Sequence, residues 1–415
     1  VYRLIASILP ATLALAACGD RQAGSTFTER DSLGIRILES HEPEWTGEHR
    51  LQLSARPTVE IGVAEGAEEY QLFRVYSAVR LDDGRILLAN AGSGQLRFYD
   101  AEGRFLESAG RHGGGPGEFA EFSSMYTWRA GPGSVASEAD DNRVMVFDTS
   151  GALLRRVRLE TSAEAPRVWL RGVFGDGTWL GTAPGGGGTL SGLPGEVIQN
   201  EFLHLRYTPE GGYVGELLRT PGRPRMVHEY AQRRHYPYIP LTPEPQVVPG
   251  SDRLYVARGA THEVEVRDLD GSLTAVIRWD APEQPRTADV WNDYEREVLD
   301  AFTNDDRRRQ YAHYFNEDLP LPERVPAIQS LMVDTGGNLW VERFRLSWES
   351  QPVWDVFSEA GRWLSTVETP EGLEIYDVGT DYVLGRSRDD LGVERIQMFE
   401  LPSDLGDRRA LGRRP

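Results

Sequence analysis

Apolar residues along this chain come in short runs broken by turn-forming clusters, and one grouping of runs recurs. Its clearest copy reads Val75-Tyr76-Ser77-Ala78-Val79-Arg80-Leu81, then Asp82-Asp83-Gly84-Arg85, then Ile86-Leu87-Leu88-Ala89-Asn90, and finally Gln95-Leu96-Arg97-Phe98-Tyr99 before Asp100-Ala101-Glu102-Gly103. Short apolar runs bounded by Asp and Gly are the signal of strands joined by tight turns. Further copies carry Val144-Met145-Val146-Phe147 with Asp148-Thr149-Ser150-Gly151, and Trp179-Leu180-Gly181 with Thr208-Pro209-Glu210-Gly211. Leu254-Tyr255-Val256 precedes Asp268-Leu269-Asp270-Gly271, and Asn338-Leu339-Trp340-Val341 precedes Ser358-Glu359-Ala360-Gly361. A last copy has Asp381-Tyr382-Val383-Leu384 and closes on Arg395-Ile396-Gln397-Met398-Phe399.

Turns after the third strand begin at 100, 148, 208, 268 and 358, at intervals of 48, 60, 60 and 90. Propeller blades repeat every roughly 40–50 residues, so the longer intervals imply insertions. The prediction is an all-β chain: one six-bladed β-propeller of four-stranded antiparallel blades over residues 31–402. Glu263-Val264-Glu265-Val266-Arg267 alternates with period two, as a strand with one wet face must. Ile35-Arg36-Ile37-Leu38 and Thr58-Val59-Glu60-Ile61 belong to no complete copy; one of them is expected to pair with the last blade and close the ring.

One stretch departs from strand periodicity. After Thr287, apolar residues at Val290, Trp291, Tyr294, Val298 and Phe302 share a helical face behind a Thr N-cap, and a second short helix is expected over Asp305 to Phe315. This insertion, 287–315, is expected to pack as a cover on a propeller face.

Composition narrows the chemistry. The 415 residues carry 64 acidic against 45 basic side chains, a net charge of −19, and such a chain repels phosphate backbones, so nucleic acid is not expected as a partner. Every basic residue is Arg, which excludes Schiff-base chemistry, a Walker-type phosphate loop and a Lys base.

Residues 4 to 15 form an apolar stretch of signal-peptide length, too short to span a bilayer comfortably. Leu15-Ala16-Ala17-Cys18 follows and matches the lipobox of bacterial lipoprotein precursors. The expectation is a signal peptide over 1–17, lipidation of Cys18, a flexible tether over 18–30 and a polar C-terminal tail over 403–415. Cys18 is the one cysteine of the chain, so the mature domain has no internal disulfide and rests on its core. Export to the bacterial cell envelope follows, with the membrane as a partner through the lipid, in the periplasm or at the cell surface.

Arg111-His112-Gly113-Gly114-Gly115-Pro116-Gly117-Glu118-Phe119 resembles the G-x-x-G-x-G-P-G-x-F turn of NHL-type six-bladed propellers. Asp31-Ser32-Leu33-Gly34-Ile35 and Asp334-Thr335-Gly336-Gly337-Asn338-Leu339-Trp340-Val341 are similar to bacterial lipoproteins of the six-bladed β-propeller family. The resemblance covers most of residues 31–402 and implies a binding platform, among relatives that include protein-interaction modules, lactonases and lyases. Gluconolactonase-type members hold a divalent metal in the central channel on Glu, Asn and Asp residues, which makes Glu118, Asn90, Asn142 and Asp334 candidates by residue type.

Other constellations have plainer explanations. His228-Glu229-Tyr230-Ala231-Gln232 opens like the H-E-x-x-H zinc motif, but Gln232 replaces the second ligand and His235 lies seven residues on, so a polar loop is expected. Asp268-Leu269-Asp270-Gly271 opens like a calcium loop, yet Trp279 occupies the twelfth position. Gly92-Ser93-Gly94 lacks the outer glycines of a nucleophile elbow. The glycine runs at 113–117 and 185–188 precede no helix start and are expected to be loops. Trp128, Trp169, Trp179, Trp340, Trp348 and Trp354 fall mostly in strand patterns and are expected to be core before they are a sugar platform. With no recognisable catalytic set, the chain is expected to bind a protein, peptide or glycan in the envelope, without a cofactor. The alternative is a lactonase-like, metal-dependent hydrolase or lyase with its site at the mouth of the channel.

Overall fold

The computed structural model describes residues 26–120, 125–140, 142–346, 348 and 351–401. Cys18, the signal stretch and the tail over 403–415 lie outside the described residues.

Six antiparallel sheets form the six-bladed β-propeller. Blade 1 is Val75–Arg80, Ile86–Asn90, Gln95–Tyr99 and Phe105–Ala109. Blade 2 is Thr127–Arg129, Ser134–Asp140, Arg143–Asp148 and Leu153–Arg158. Blade 3 is Trp169–Val173, Trp179–Pro184, Glu201–Tyr207 and Tyr213–Pro221. Blade 4 is Gln246–Pro249, Arg253–Ala257, Glu263–Asp268 and Leu273–Trp279; blade 5 is Ile328–Val333, Leu339–Arg343, Val353–Phe357 and Trp363–Glu368. Blade 6 takes Glu374–Val378, Tyr382–Arg388 and Glu394–Glu400 from the C-terminal end and Val59–Ile61 from the N-terminal one. From blade 6 through blades 1 to 5, the first strands of successive blades pack side by side.

The ring closes as the unassigned N-terminal segments foretold. Val59–Ile61 pairs antiparallel with the last strand, Val59 opposite Met398 and Ile61 opposite Ile396. The other segment does different work: the hairpin Phe27–Ser32 and Ile35–Ser40 lies parallel along Leu273–Trp279, Leu38 opposite Ile277, and covers the outer edge of blade 4. Residues 27–30 of the stretch expected to be a tether lie in this strand.

The recurrent turn after the third strand has a common construction. In blade 1 the Gly103 amide donates to the Asp100 carbonyl and the Asp100 amide to the Arg104 carbonyl, while the Asp100 carboxylate accepts from the amides of Glu102 and Arg104. Those amide bonds, the one from Arg104 first, hold the Asp100 carboxyl below its usual range. Gly in the fourth position is required twice over in blade 4: Gly271 has φ +87°, and a Cβ there would sit 1.9 Å from the Leu217 carbonyl oxygen of blade 3. Each turn thus sets how close the neighbouring blade can come.

Burial happens between blades rather than within them, since a single small sheet cannot cover its own faces. Val79, Leu87 and Phe98 of blade 1 meet Val135, Met145 and Phe147 of blade 2, and corresponding clusters fill the other seams. The 111–119 loop belongs to this packing: Phe119 is fully buried and stacks on Phe147 at 6.2 Å. Among the described residues the seam of blades 3 and 4 is the thinnest, with six buried apolar residues, Phe174, Leu180, Leu217, Leu218, Leu254 and Val256, against ten to fourteen at the other seams. Polar groups replace core there, and the chain's insertions gather beside it.

Helices α1 (Ala288–Asp300) and α2 (Asp305–Phe315) occupy the expected insertion, and the Thr287 side chain accepts the Val290 amide as an N-cap. Trp291, Tyr294 and Val298 of α1 and Tyr314 and Phe315 of α2 pack on Met226 and Ile239. The helices therefore cover the segment between blades 3 and 4.

Candidate functional site

Beside the thin seam a cavity of about 620 Å³ opens between blade 3, the start of blade 4 and the segment 222–245. That volume lies within the range of small-ligand sites. Arg167 and Arg171 reach it from the start of blade 3, and Arg223 and Arg225 from the inserted segment, while Glu244 is the one acidic residue on its wall. None of the four guanidiniums forms an ion pair with a described carboxylate. Arg223 donates to the Thr242 hydroxyl (3.2 Å) and the Ile239 carbonyl (3.4 Å), and Arg225 to the Tyr236 carbonyl (2.7 Å). Both also lie over the Tyr238 ring, at 5.0 and 3.7 Å from its centre. These contacts hold the two side chains in place without neutralising their charge.

The floor is a buried polar ladder across three strands of blade 3. Thr182 Oγ1 lies 3.1 Å from His204 Nδ1, and His204 Nε2 lies 2.9 Å from Thr220 Oγ1. Burial, with Arg171 nearby, lowers the His204 pKa to about 4, so the imidazole is neutral at pH 7. One ring nitrogen donates and the other accepts, and the two hydroxyls can turn to suit.

A different arrangement of charge closes the ends of other inner strands. Arg129, the last residue of blade 2's first strand, donates to both Asp377 oxygens of blade 6 (2.9 and 2.6 Å) and to the Tyr382 hydroxyl (3.0 Å). Asp377 also accepts from the Arg80 amide of blade 1 at 2.9 Å and from the Tyr382 hydroxyl at 2.6 Å. Burial opposes charge on Arg129, yet its bonds to Asp377 outweigh it and raise the pKa of the guanidinium. This is a saturated structural lock across three blades. Asp355 in blade 5 is a second one, fully buried and accepting from Arg343 twice at 2.8 Å and from the Trp279 indole of blade 4 at 3.0 Å.

The four candidate metal ligands chosen by residue type each hold backbone or side-chain groups of nearby loops and turns. Asn90 accepts the Phe73 amide and donates to Ser93, and Glu118 takes the Gly115 amide and Arg111. Asn142 bonds to the Val168 amide and Pro166 carbonyl, and Asp334 accepts from Asn338 and the Trp340 indole. The Ser93 hydroxyl bonds to Asn90 and Arg97, with the His112 ring beside Gly92, and Asp268–Gly271 is a turn. Trp179, Trp340 and Trp354 are core, whereas Trp169 lies on the wall of the basic cavity and Trp348 is exposed. Residues 228–235 form a hairpin of His228–Tyr230 and Arg233–His235 rather than a zinc helix. The sequence offered no sign that Arg167, Arg171, Arg223 and Arg225 converge, because they lie on two segments about fifty residues apart that only the blade 3–blade 4 geometry joins.

Fold and site together define a six-bladed β-propeller with a basic cavity beside one seam. Solved structures with a similar chain course include a protein from Bacteroides fragilis described as exported (12% identity, 88% of this chain and 98% of that one, TM-score 0.47). Virginiamycin B lyase from Staphylococcus aureus is similar at 10% identity over 85% of this chain and all of that one (TM-score 0.40). A gluconolactonase from Xanthomonas campestris is similar at 11% identity over 84% and 87% (TM-score 0.40). No family model matches the chain, and no curated protein matches it. No described helix is long and apolar enough to cross a membrane.

Proposed function

We propose that this chain is an exported propeller, lipid-anchored through Cys18, that binds an anionic ligand of the cell envelope in the basic cavity beside blades 3 and 4. The ligand chemistry is that of carboxylates, carried by an acidic glycan or an acidic stretch of protein or peptide. The observation that carries the reading is four arginines around one cavity, unpaired with any described carboxylate, in a chain whose net charge is −19. A surplus of uncompensated positive charge is costly to gather unless an anion completes it. Trp169, Phe202 and Tyr238 add flat apolar faces, and Asn200 and Gln246 add amide groups, a mixture suited to sugar rings or peptide planes.

The test is calorimetric titration of the purified chain with an oligogalacturonate and, separately, with a Glu-rich peptide. Binding that weakens with salt and is abolished by Arg171→Ala with Arg223→Ala supports the reading, and the two probes separate the glycan from the peptide source. Equal binding of a neutral oligosaccharide of the same size, or indifference to the arginine changes, overturns it. Mass spectrometry of the chain expressed in a bacterium, against Cys18→Ser, tests the anchor: an acylated N-terminal Cys is expected, and an unmodified one sinks it.

One observation favours the alternative of a metal-dependent hydrolase or lyase at the channel mouth. Glu342 is largely enclosed beside the inner strand of blade 5, where burial raises its pKa and Ser330 donates to it at 2.7 Å. Lactone hydrolysis that needs a divalent ion and is lost in Glu342→Gln would replace the binding reading.

A further inference from the structure

We propose that His228, His313 and Glu317 form a binding site for one divalent cation of the zinc class, where α2 meets the hairpin inserted before blade 4. His228 opens that hairpin, His313 lies in the last turn of α2, and Glu317 follows just beyond the helix end. Each offers a donor atom, and the three donors lie within 4.8 Å of one another, the only such group of three or more His, Cys, Asp or Glu residues among the described residues. His228 Nδ1 is 2.8 Å and His313 Nδ1 3.9 Å from Glu317 Oε1. Tetrahedral zinc with bonds of about 2.0–2.2 Å needs donors roughly 3.3–3.6 Å apart, a spacing that these distances straddle. Small side-chain shifts reach it.

A second observation sets this cluster apart from an ordinary His–Glu pair. The His228 side chain is fully buried, and its Nε2 has no hydrogen-bond partner among the described residues. A carboxylate only accepts, so without a cation Nδ1 must carry the proton toward Glu317, and the Nε2 lone pair is left bare in the interior. A cation held among the three donors takes the Nδ1 lone pair in place of that proton, and the neutral ring serves as a ligand with its proton on Nε2. Two imidazoles and one carboxylate suit zinc and its neighbours rather than calcium or magnesium, which prefer all-oxygen shells.

The site is not closed. His313 is exposed, and His228 also lines a cavity of about 470 Å³ shared with His235 and Tyr311. Three protein ligands with an open fourth position leave room for water or for an anionic group. Arg225 and Tyr238 stand in the wall of this cavity and of the basic one alike. The cation site stands on its own donor set, and it fails or survives independently of the anionic-ligand reading.

The experiment is titration of the untagged full-length chain, first stripped with a chelator, with zinc alone, read by calorimetry and by competition with a chromophoric chelator. One zinc per chain is expected, together with a rise in melting temperature with zinc concentration. His228→Ala opens a hole at a fully buried position, so the decisive variants are His313→Ala and Glu317→Gln at accessible positions, with circular dichroism as the folding check. Each is expected to weaken zinc by more than the roughly 10–100-fold that loss of an outer partner costs. No one-to-one zinc binding in the parent chain overturns the proposal, as does unchanged affinity in both variants or equal affinity for magnesium.

Discussion

Arginine does opposite work at two places in this ring. Where blades 1, 2 and 6 meet, Arg129 spends its donors on Asp377, Tyr382 and the Arg80 carbonyl, so charge is matched and three blades are tied together. Beside blades 3 and 4, Arg167, Arg171, Arg223 and Arg225 gather around a cavity with aromatic and carbonyl contacts but no ion pair to a described carboxylate. The first arrangement is complete within the chain, and the second leaves its charge unmatched by any described carboxylate. Residue type says nothing about this difference; the partner does.

The largest expected effect falls on the complete side. Arg129→Ala leaves the nearly buried Asp377 carboxylate without its principal partner, and breaking such a pair from one side costs about 3–5 kcal/mol. Urea denaturation of the variant measures it; a loss under about 1 kcal/mol would mean that solvent replaces the guanidinium and that the lock is not a lock.

Next comes the floor of the cavity. The His204 pKa is lowered to about 4 from an ordinary 6.5, so the unfolded chain binds this proton first on acidification. The stabilisation is fully present above pH 6.5 and is lost as pH falls toward 4, in total about 3 kcal/mol. Denaturant titrations of the parent and His204→Gln at pH 7 and pH 4.5 isolate it: the parent should lose more stability than the variant between the two. Parallel losses would place the ring in water rather than between Thr182 and Thr220.

The smallest stability effect is expected at the cavity rim. Arg171 is exposed and has no ion pair to a described carboxylate, so Arg171→Ala should leave stability within about 0.5 kcal/mol while it weakens an anionic ligand. A variant that loses several kcal/mol by thermal melting would erase the contrast with Arg129 and make both sites structural.

Much of the fold was legible because a propeller repeats its local rules. The Asp-x-x-Gly turns, the period-two strand at 263–267 and the Thr287 cap are local chemistry, and each appears where the pattern put it. Strand pairing at long range was legible only as a need: blade 6 lacked a strand, two N-terminal segments were spare, and the structure chose Val59–Ile61 for the ring and Ile35–Ser40 for the edge of blade 4. The candidate ligands Asn90, Glu118, Asn142 and Asp334 were chosen by type, and the structure uses Glu118 and Asp334 within their own turns and Asn90 and Asn142 to hold loops 17 and 26 residues away. The H-E-x-x-Q segment was read as a polar loop for lack of a second His one turn on, whereas His313 and Glu317 approach from the last turn of α2 and just beyond it, more than eighty residues away.

By itself, then, the sequence determined the repeat, the turns, the helical insertion and the excess of acidic charge, because these depend on residues close together in the chain. Tertiary structure alone decided which arginines are matched, which histidine is neutral and which donors converge. Those properties depend on the groups that packing brings within a few ångströms and on the water it removes, and neither is written in local order along the chain.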